Sequence, residues 1–578
     1  MAVEIGVSSR TLVVALHGYT RGPASLAHVE RAIRACIPGA HVVVPKLPLS
    51  TFSCADPNAI VADLLQQVDA LFSRERHDRI ILVGYSMGGL LARKLYIAAC
   101  GNNDRAPLEP VLSSQCAAPR EWAARVERIV LLAGMNNGWS IDYHMGLWSA
   151  FKLSAGVLLG RLLHFVHRGW PTIFNMRRGA PFLIQLRVQW LIMRRLASAR
   201  GVGATSVIQL LGTVDDLVSP RDNVDVVTGQ DFYFLDVPKS GHLDVVTMDE
   251  SPAGSARTEV FQRALSLSPA QLKESSVLIA DIDPVPPRHE VEELVFVIHG
   301  IRDEGFWTEK IARAVMREGH KCDRRFARET STYGYFGMLP FLSSWQRRQK
   351  VEWLMNRYAE ALAHYPNLKK IHYVGHSNGT YLLAKAIEQY PCCQFNRIVF
   401  AGSVVPSTYD WSRYINRFPP QAEEVLNYAA TGDWVVAYFP NCFEFLGIAD
   451  LGGAGHLGFK EGSVAPEADS KVVNVEYVVG AHSAALTEEN WSSIARFIVH
   501  GHGAGADPLC GARTWKRHSG WVGFFGKFPP IIWLCLAALL ATPIGLLYYA
   551  AGYHWQEWWL PTALVAYVAA LLYVGNRL

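Results

Sequence analysis

The chain writes one plan twice. TLVVALHGYT (Thr11 to Thr20) and LVFVIHGIRD (Leu294 to Asp303) are apolar strand-like runs that end in His-Gly. RIILVGYSMGG and KIHYVGHSNGT follow them at similar distances, and RIVLLAG (Arg128 to Gly134) and RIVFAGS (Arg397 to Ser403) come next. Near-continuous apolar runs alternating with helical patterns, such as Asn58 to Phe72 and Val351 to His364, specify parallel sheets covered by helices on both faces. The expected fold class is α/β, with two tandem units spanning residues 1–280 and 281–500. Their boundary is placed at the proline-rich DIDPVPPRHE, Asp281 to Glu290, where apolar periodicity lapses.

In each half a serine stands between two glycines where a strand-like run gives way to a helix-like one: LVGYSMGGLL around Ser86 and YVGHSNGTYL around Ser377. Alone this pattern is weak, but in a strand–turn–helix setting, twice, it is strong. Each half resembles the α/β-hydrolase family, whose lipase- and esterase-like members carry serine, acid and histidine in that chain order. The resemblance implies a nucleophile elbow, with the serine Oγ exposed and the N-terminus of the following helix aimed at a developing oxyanion.

Carried onto the first half, the resemblance names Ser86 as nucleophile. The acid is Asp215 in LLGTVDDLVSP, with Asp216 as the close alternative, and the base is His242 in KSGHLDVV. Backbone N–H groups of Tyr19 and Met87 match the oxyanion-hole positions. In the second half it names Ser377, Asp433 after Gly432, and His482 after a last strand, with N–H donors from Ile301 and Asn378. His456 in GGAGHLGF rivals His482, which is preferred because a strand-like run leads into it. A serine hydroxyl is a poor nucleophile until an imidazole takes its proton and a carboxylate holds that imidazole.

The substrate class is read from an insertion at about 135–205, rich in Trp, Leu and Phe, in the place of a family lid. From Tyr143 to Val214 it has no Asp or Glu but carries Lys152, Arg161, Arg168, Arg177, Arg178, Arg187, Arg194, Arg195 and Arg200. A basic and apolar lid suits an anionic bilayer surface; the plainer alternative is a helical cap with solvated arginines. After a linker at 501–528, the uncharged PPIIWLCLAALLATPIGLLYYAA (Pro529 to Ala551) and WWLPTALVAYVAALLYVG (Trp558 to Gly575) read as a transmembrane helical hairpin over 529–578. Arg513, Lys516, Arg517, Lys527 and Arg577 flank the spans while the turn between them has no Lys or Arg, which places the catalytic halves on the cytoplasmic side. A buried hydrophobic hairpin is the alternative.

Composition excludes other classes. A formal charge of +4 over 578 residues is too small to expect nucleic acid, and ten cysteines without a CxxC pair suit a reducing compartment. Glu4 and Arg10 interrupt the N-terminus, so no signal peptide is expected. No metal cluster, phosphate loop or nucleotide fingerprint stands out, so no cofactor is expected, and the sequence specifies no oligomeric state. The resulting expectation is a membrane-anchored serine hydrolase acting on a lipid or other acyl ester. A thioesterase or acyltransferase would use the same residues, and a non-catalytic membrane-tethered scaffold could use the same folds.

Overall fold

The computed structural model describes residues 10–138, 171–214, 232–277, 287–301, 305–448, 450–461, 470–502, 520–552 and 558–577. Two compact units are present: residues 1–286 with 356–364, and residues 287–355 with 365–578.

The first unit is built on β1 (Thr11–Leu16), β2 (His41–Val43), β3 (Arg79–Tyr85), β4 (Val126–Leu132), β5 (Ser206–Gly212) and β6 (Phe232–Val237). They form one sheet in the order β2-β1-β3-β4-β5-β6, every pair parallel. Alternate residues of a strand point to opposite faces, and here both faces are dry. Leu12, Val14 and Leu16 pack with the helices Pro57–Arg74, Met87–Ala99 and Pro181–Arg200 on one side. Val13 and Ala15 pack with Ala27–Cys36 and Pro252–Ser266 on the other. Two buried faces explain why the strands read as continuous apolar runs rather than alternating ones.

The second unit repeats the arrangement with β7 (Glu293–Ile298), β8 (Phe326–Glu329), β9 (Lys370–His376), β10 (Phe395–Ala401), β11 (Ala422–Ala430) and β12 (Val472–Val478). Its order, read from the other edge, is β8-β7-β9-β10-β11-β12, again all parallel. Val295, Val297, Val374, Val399 and Leu426 meet the helices Thr308–Lys321 and Glu488–His500 on one face. In both sheets the serine-bearing strand is third in the order, and Ser86 and Ser377 follow its C-terminal end, the edge at which open α/β sheets take ligands.

Near the end of the second unit the helix Pro529–Ala550 has 22 residues, is long and apolar enough to cross a membrane, and has none of its apolar stretch buried in protein. At about 1.5 Å per residue it measures roughly 33 Å, against a hydrocarbon core of about 30 Å. The helix Trp559–Arg577 packs against it, with the Tyr567 hydroxyl donating to Leu540 O at 2.9 Å. Its apolar stretch, Trp559–Leu571, falls short of spanning length, so one helix rather than the expected two meets the criterion among the described residues.

The insertion departs from its reading. Residues 139–170 lie outside the described part, but Pro181–Arg200 is an interior helix, not a basic surface face: Phe182, Leu186, Arg187, Gln189, Trp190 and Met193 are all buried. Its arginines are used inside the unit. Arg194 donates to Gly203 O and Thr205 O at 3.0 and 2.6 Å, and Arg200 to Gly101 O and Asn102 O at 3.4 and 3.1 Å. Burial, with Arg105 nearby, pushes Arg195 down to about 10. The helix is keyed to the elbow helix by Lys94, whose Nζ reaches Glu109 at 2.6 Å and Gln189 Oε1 at 2.5 Å, and by Arg93 stacked 4.8 Å over Trp190.

Candidate active sites

Each serine is held in a backbone conformation that its own side chain disfavours. Ser86 has φ 53° and ψ −120°, and Ser377 φ 50° and ψ −118°. Left-handed residues other than glycine cost on the order of 1–3 kcal/mol and persist only where the surroundings impose them. The surroundings are the elbow glycines. A Cβ on Gly84 would lie 2.5 Å from Gly89 Cα, and one on Gly88 2.2 Å from Leu16 O; on Gly379 it would lie 2.6 Å from Ile298 O. Backbone touches backbone at these points, so the turn closes only without side chains. Ser86 N–H donates to Leu132 O and Ser377 N–H to Ala401 O, which fastens each elbow to the next strand.

The His-Gly turns expected beside the oxyanion holes lie against the serines. A Cβ on Gly18 would sit 3.1 Å from Ser86 Cβ, and one on Gly300 2.7 Å from Ser377 Cβ. His17 locks the first turn: its Nδ1 meets Gly18 O at 3.0 Å and its Nε2 accepts from Leu47 N–H at 3.0 Å. Those partners fix one neutral tautomer, and burial lowers the His17 pKa in agreement. His299 holds the second turn through contacts with Gly300 O at 2.8 Å and Thr332 Oγ1 at 2.7 Å. The Tyr333 hydroxyl adds bonds to His299 O and Gly300 O at 3.0 and 2.7 Å, with its ring stacked on His299. Among the described residues the N–H groups of Tyr19, Met87, Ile301 and Asn378 donate to no backbone carbonyl.

In the first unit Ser86 Oγ and His242 Nε2 are 2.9 Å apart, both residues buried. Asp215 and its alternative Asp216 lie outside the described residues. The loop bearing His242 is clamped by a residue that sequence reasoning missed, Arg257. Its guanidinium donates to Ser240 Oγ, Lys239 O and Thr247 O at 2.8, 2.7 and 3.1 Å. Tyr85, the residue before Ser86, donates to His242 O at 3.1 Å. Long-range clamps of this kind leave no local spacing to read; only the position of Tyr85 beside the serine offered a signal.

In the second unit the other contact is seen. His482 Nδ1 and Asp433 Oδ2 are 2.8 Å apart, and Asp433 is fully buried, its Oδ1 accepting from Val436 N–H at 3.0 Å. The structure therefore brings His482, not His456, to Asp433. His482 rests on Gly402, where a Cβ would lie 2.7 Å from its ring, and it packs 4.7 Å from His376, which occupies the place of Tyr85. Ser377 Oγ makes no hydrogen bond to His482 among the described residues.

One further cluster could ligate a metal. His41, Glu75 and His77 bring three donor atoms within 4.8 Å of one another. They stand at the N-terminal ends of β2 and β3, opposite Ser86 along the sheet, so they are no part of the serine site.

The family model described as "Alpha/beta hydrolase family" matches residues 13–258. No curated protein matches the sequence. Solved structures with a similar fold include a mature lipase from Bacillus licheniformis, at 15% identity over 46% of this chain and 96% of that one, TM-score 0.29. A phospholipase from Legionella pneumophila gives 15%, 46%, 62% and 0.29. A lipase-esterase related protein from Clostridium acetobutylicum gives 13%, 44%, 95% and 0.26. At such identities and scores these structures carry no argument about activity. The family match falls on the first unit and takes in its elbow and most of its sheet, so that part of the chain is similar to the alpha/beta hydrolase family.

Proposed function

We propose that the chain is a membrane-anchored serine hydrolase that cleaves esters of apolar acyl chains through an acyl-enzyme. The observation that carries this reading is the 2.9 Å contact between Ser86 Oγ, raised on a strained elbow, and His242 Nε2. His242 takes the Ser86 proton as Oγ bonds to the acyl carbon, and returns it to the departing alcohol oxygen. Water then repeats the cycle and releases the acid. Asp215, or Asp216, would hold the His242 tautomer, and the N–H groups of Tyr19 and Met87 would receive the oxyanion. Ser377, Asp433 and His482 would work alike, with Ile301 and Asn378 as donors.

The helix Pro529–Ala550 supports the anchor, and the basic residues flanking it favour catalytic units on the cytoplasmic side. The apolar acyl group follows from that anchor and from the Trp- and Leu-rich insertion. A specific observation favours a second reading for the second unit. Because Ser377 Oγ has no bond to His482 among the described residues, that unit could bind rather than turn over its ligand.

Fluorophosphonate labelling of the full chain, with the modified peptide located by mass spectrometry, tests both readings. Label on Ser86 supports the hydrolase, and label on both serines supports two working sites. An unlabelled Ser86 in folded protein would overturn the proposal for the first unit.

A further inference from the structure

The helices that follow Asp433 are built against the base of the anchor. Asp433 caps Trp434–Tyr438, and Pro440–Leu446 comes directly after it. Trp533, in the first turns of Pro529–Ala550, donates from Nε1 to Tyr438 O at 2.8 Å and packs its ring 5.0 Å from Phe439 and 6.0 Å from Phe443. Asn441 Nδ2 donates to Gly526 O at 2.8 Å, at the end of the preceding helix Gly520–Gly526.

The outward side chains of these elements are large and apolar. Phe445, Leu446 and Ile448 are exposed by 60, 50 and 69%, and Trp521 and Phe524 by 76 and 58%. So many exposed apolar groups on connected elements mark a surface that something covers. The single acid between Trp434 and Ile448, Glu444, is withdrawn: its carboxylate accepts from Ser407 and from Gly453 N–H. Lys527 stands exposed beside the anchor.

We infer that this collar is sunk into the bilayer interface, and that a lipid ester reaches the second site laterally from the membrane. The occupant follows from continuity: the collar joins a helix whose apolar side chains have no protein cover. Trp533 lies about 6 Å along the axis from Pro529, within the roughly 5–10 Å to which interfacial helices bury their apolar faces. The same elements connect to His482 through a chain of close contacts. A methyl on Gly526 would lie 2.5 Å from His456 Nε2; the adjoining Gly455 packs on Ser403, and Gly402 lies against His482. His456 is thereby a contact between the anchor's approach and the site, not a rival base.

The route, though not the collar, rests on the reading of Ser377 as a nucleophile. The test uses the full chain in phosphatidylcholine vesicles with a benzophenone amino acid at position 445 or 448. Position 418 serves as control, since exposed Phe418 lies near the N-terminal end of β11, away from the catalytic edge. Acyl-chain adducts at 445 and 448 should exceed those at 418 by about tenfold, as interfacial burial requires; equal yields would overturn the collar. In a Ser86→Ala background, Phe445→Asp with Ile448→Asp should lower turnover of a vesicle-borne ester about tenfold and a soluble ester less than about twofold. Equal loss on both would overturn the route. Fluorophosphonate labelling of Ser377 reports separately on the nucleophile, so its failure with adducts intact would sink that reading and leave the collar standing.

Discussion

The two units share a sheet order, an elbow and a His-Gly turn, yet a different side-chain contact is seen beside each elbow. The first holds serine against histidine at 2.9 Å; the second holds histidine against a buried aspartate at 2.8 Å. They also place their extra helices differently. The first inserts between β4 and β5, and the second between β11 and β12, between Asp433 and His482. An insertion before the acid can cover a cleft without touching the acid–base contact. One that starts at Asp433 ties that residue to whatever the inserted helices pack against, here the first turns of the helix Pro529–Ala550. The same sheet order thus carries its extra helices at two different places, and in the second unit they tie Asp433 to the helix Pro529–Ala550.

The sharpest way to break this comparison is to remove each serine. Ser86→Ala should lower turnover of a medium-chain ester at least roughly a thousandfold, the scale of losing a triad member. Should activity persist and vanish only on adding Ser377→Ala, the second unit would be the working one. Asp433→Asn probes the second unit alone: the rate of fluorophosphonate labelling at Ser377 should fall roughly a hundredfold, because the histidine loses the partner that orients it. Labelling at Ser86, measured in the same sample, should not change. An unaltered rate at Ser377 would show that the acid–base contact serves packing rather than activation.

A smaller contrast lies in how the sheets respond to acid. In the second unit burial pushes the Glu293 carboxyl up, but bonds from His372 and Arg324 outweigh it and hold it at about 2. A folded pKa below the unfolded one gives stability that is present above about pH 4.5 and lost as pH falls toward 2. Buried His372, whose pKa is lowered mainly by desolvation, adds a loss of the same sign below its ordinary 6.5. After allowance for partial solvent screening, Glu293→Gln should cost about 2 kcal/mol at neutral pH and flatten that slope. Chemical denaturation followed between pH 2 and 7 measures both.

What the sequence made legible follows from contact distance. Elbow glycines are forced wherever backbone meets backbone, as at Gly84, Gly88 and Gly379, and so they can be read in a string of letters. Asp433 and His482 were readable because each stands at the end of a strand. The insertion was misread because its arginines lacked acidic neighbours in sequence, which suggested an anionic surface. Half-buried guanidinium groups such as Arg194 and Arg200 satisfy themselves on backbone carbonyls, and a carbonyl leaves no mark in the sequence. For the same reason Tyr333 and Arg257 went unnoticed.

Arg257 yields the finest test of what separates the units. It reaches from the helix Pro252–Ser266 to three acceptors in the loop around His242, one side chain and two carbonyls, a fork that lysine's single ammonium cannot span. It touches neither the serine nor the imidazole, so it acts by positioning. Arg257→Lys should therefore lower kcat on a soluble ester about tenfold with KM nearly unchanged, since an ångström of freedom at the base weakens the transition state more than the bound substrate. Arg257→Ala should lower kcat further, and the lysine variant should recover part of that loss. Labelling of Ser377, whose base is held by Asp433 and Gly402 instead, should stay at the wild-type rate. If KM and kcat shift together, or if both serines lose labelling equally, Arg257 supports the fold at large and the base of the first unit is positioned by something else.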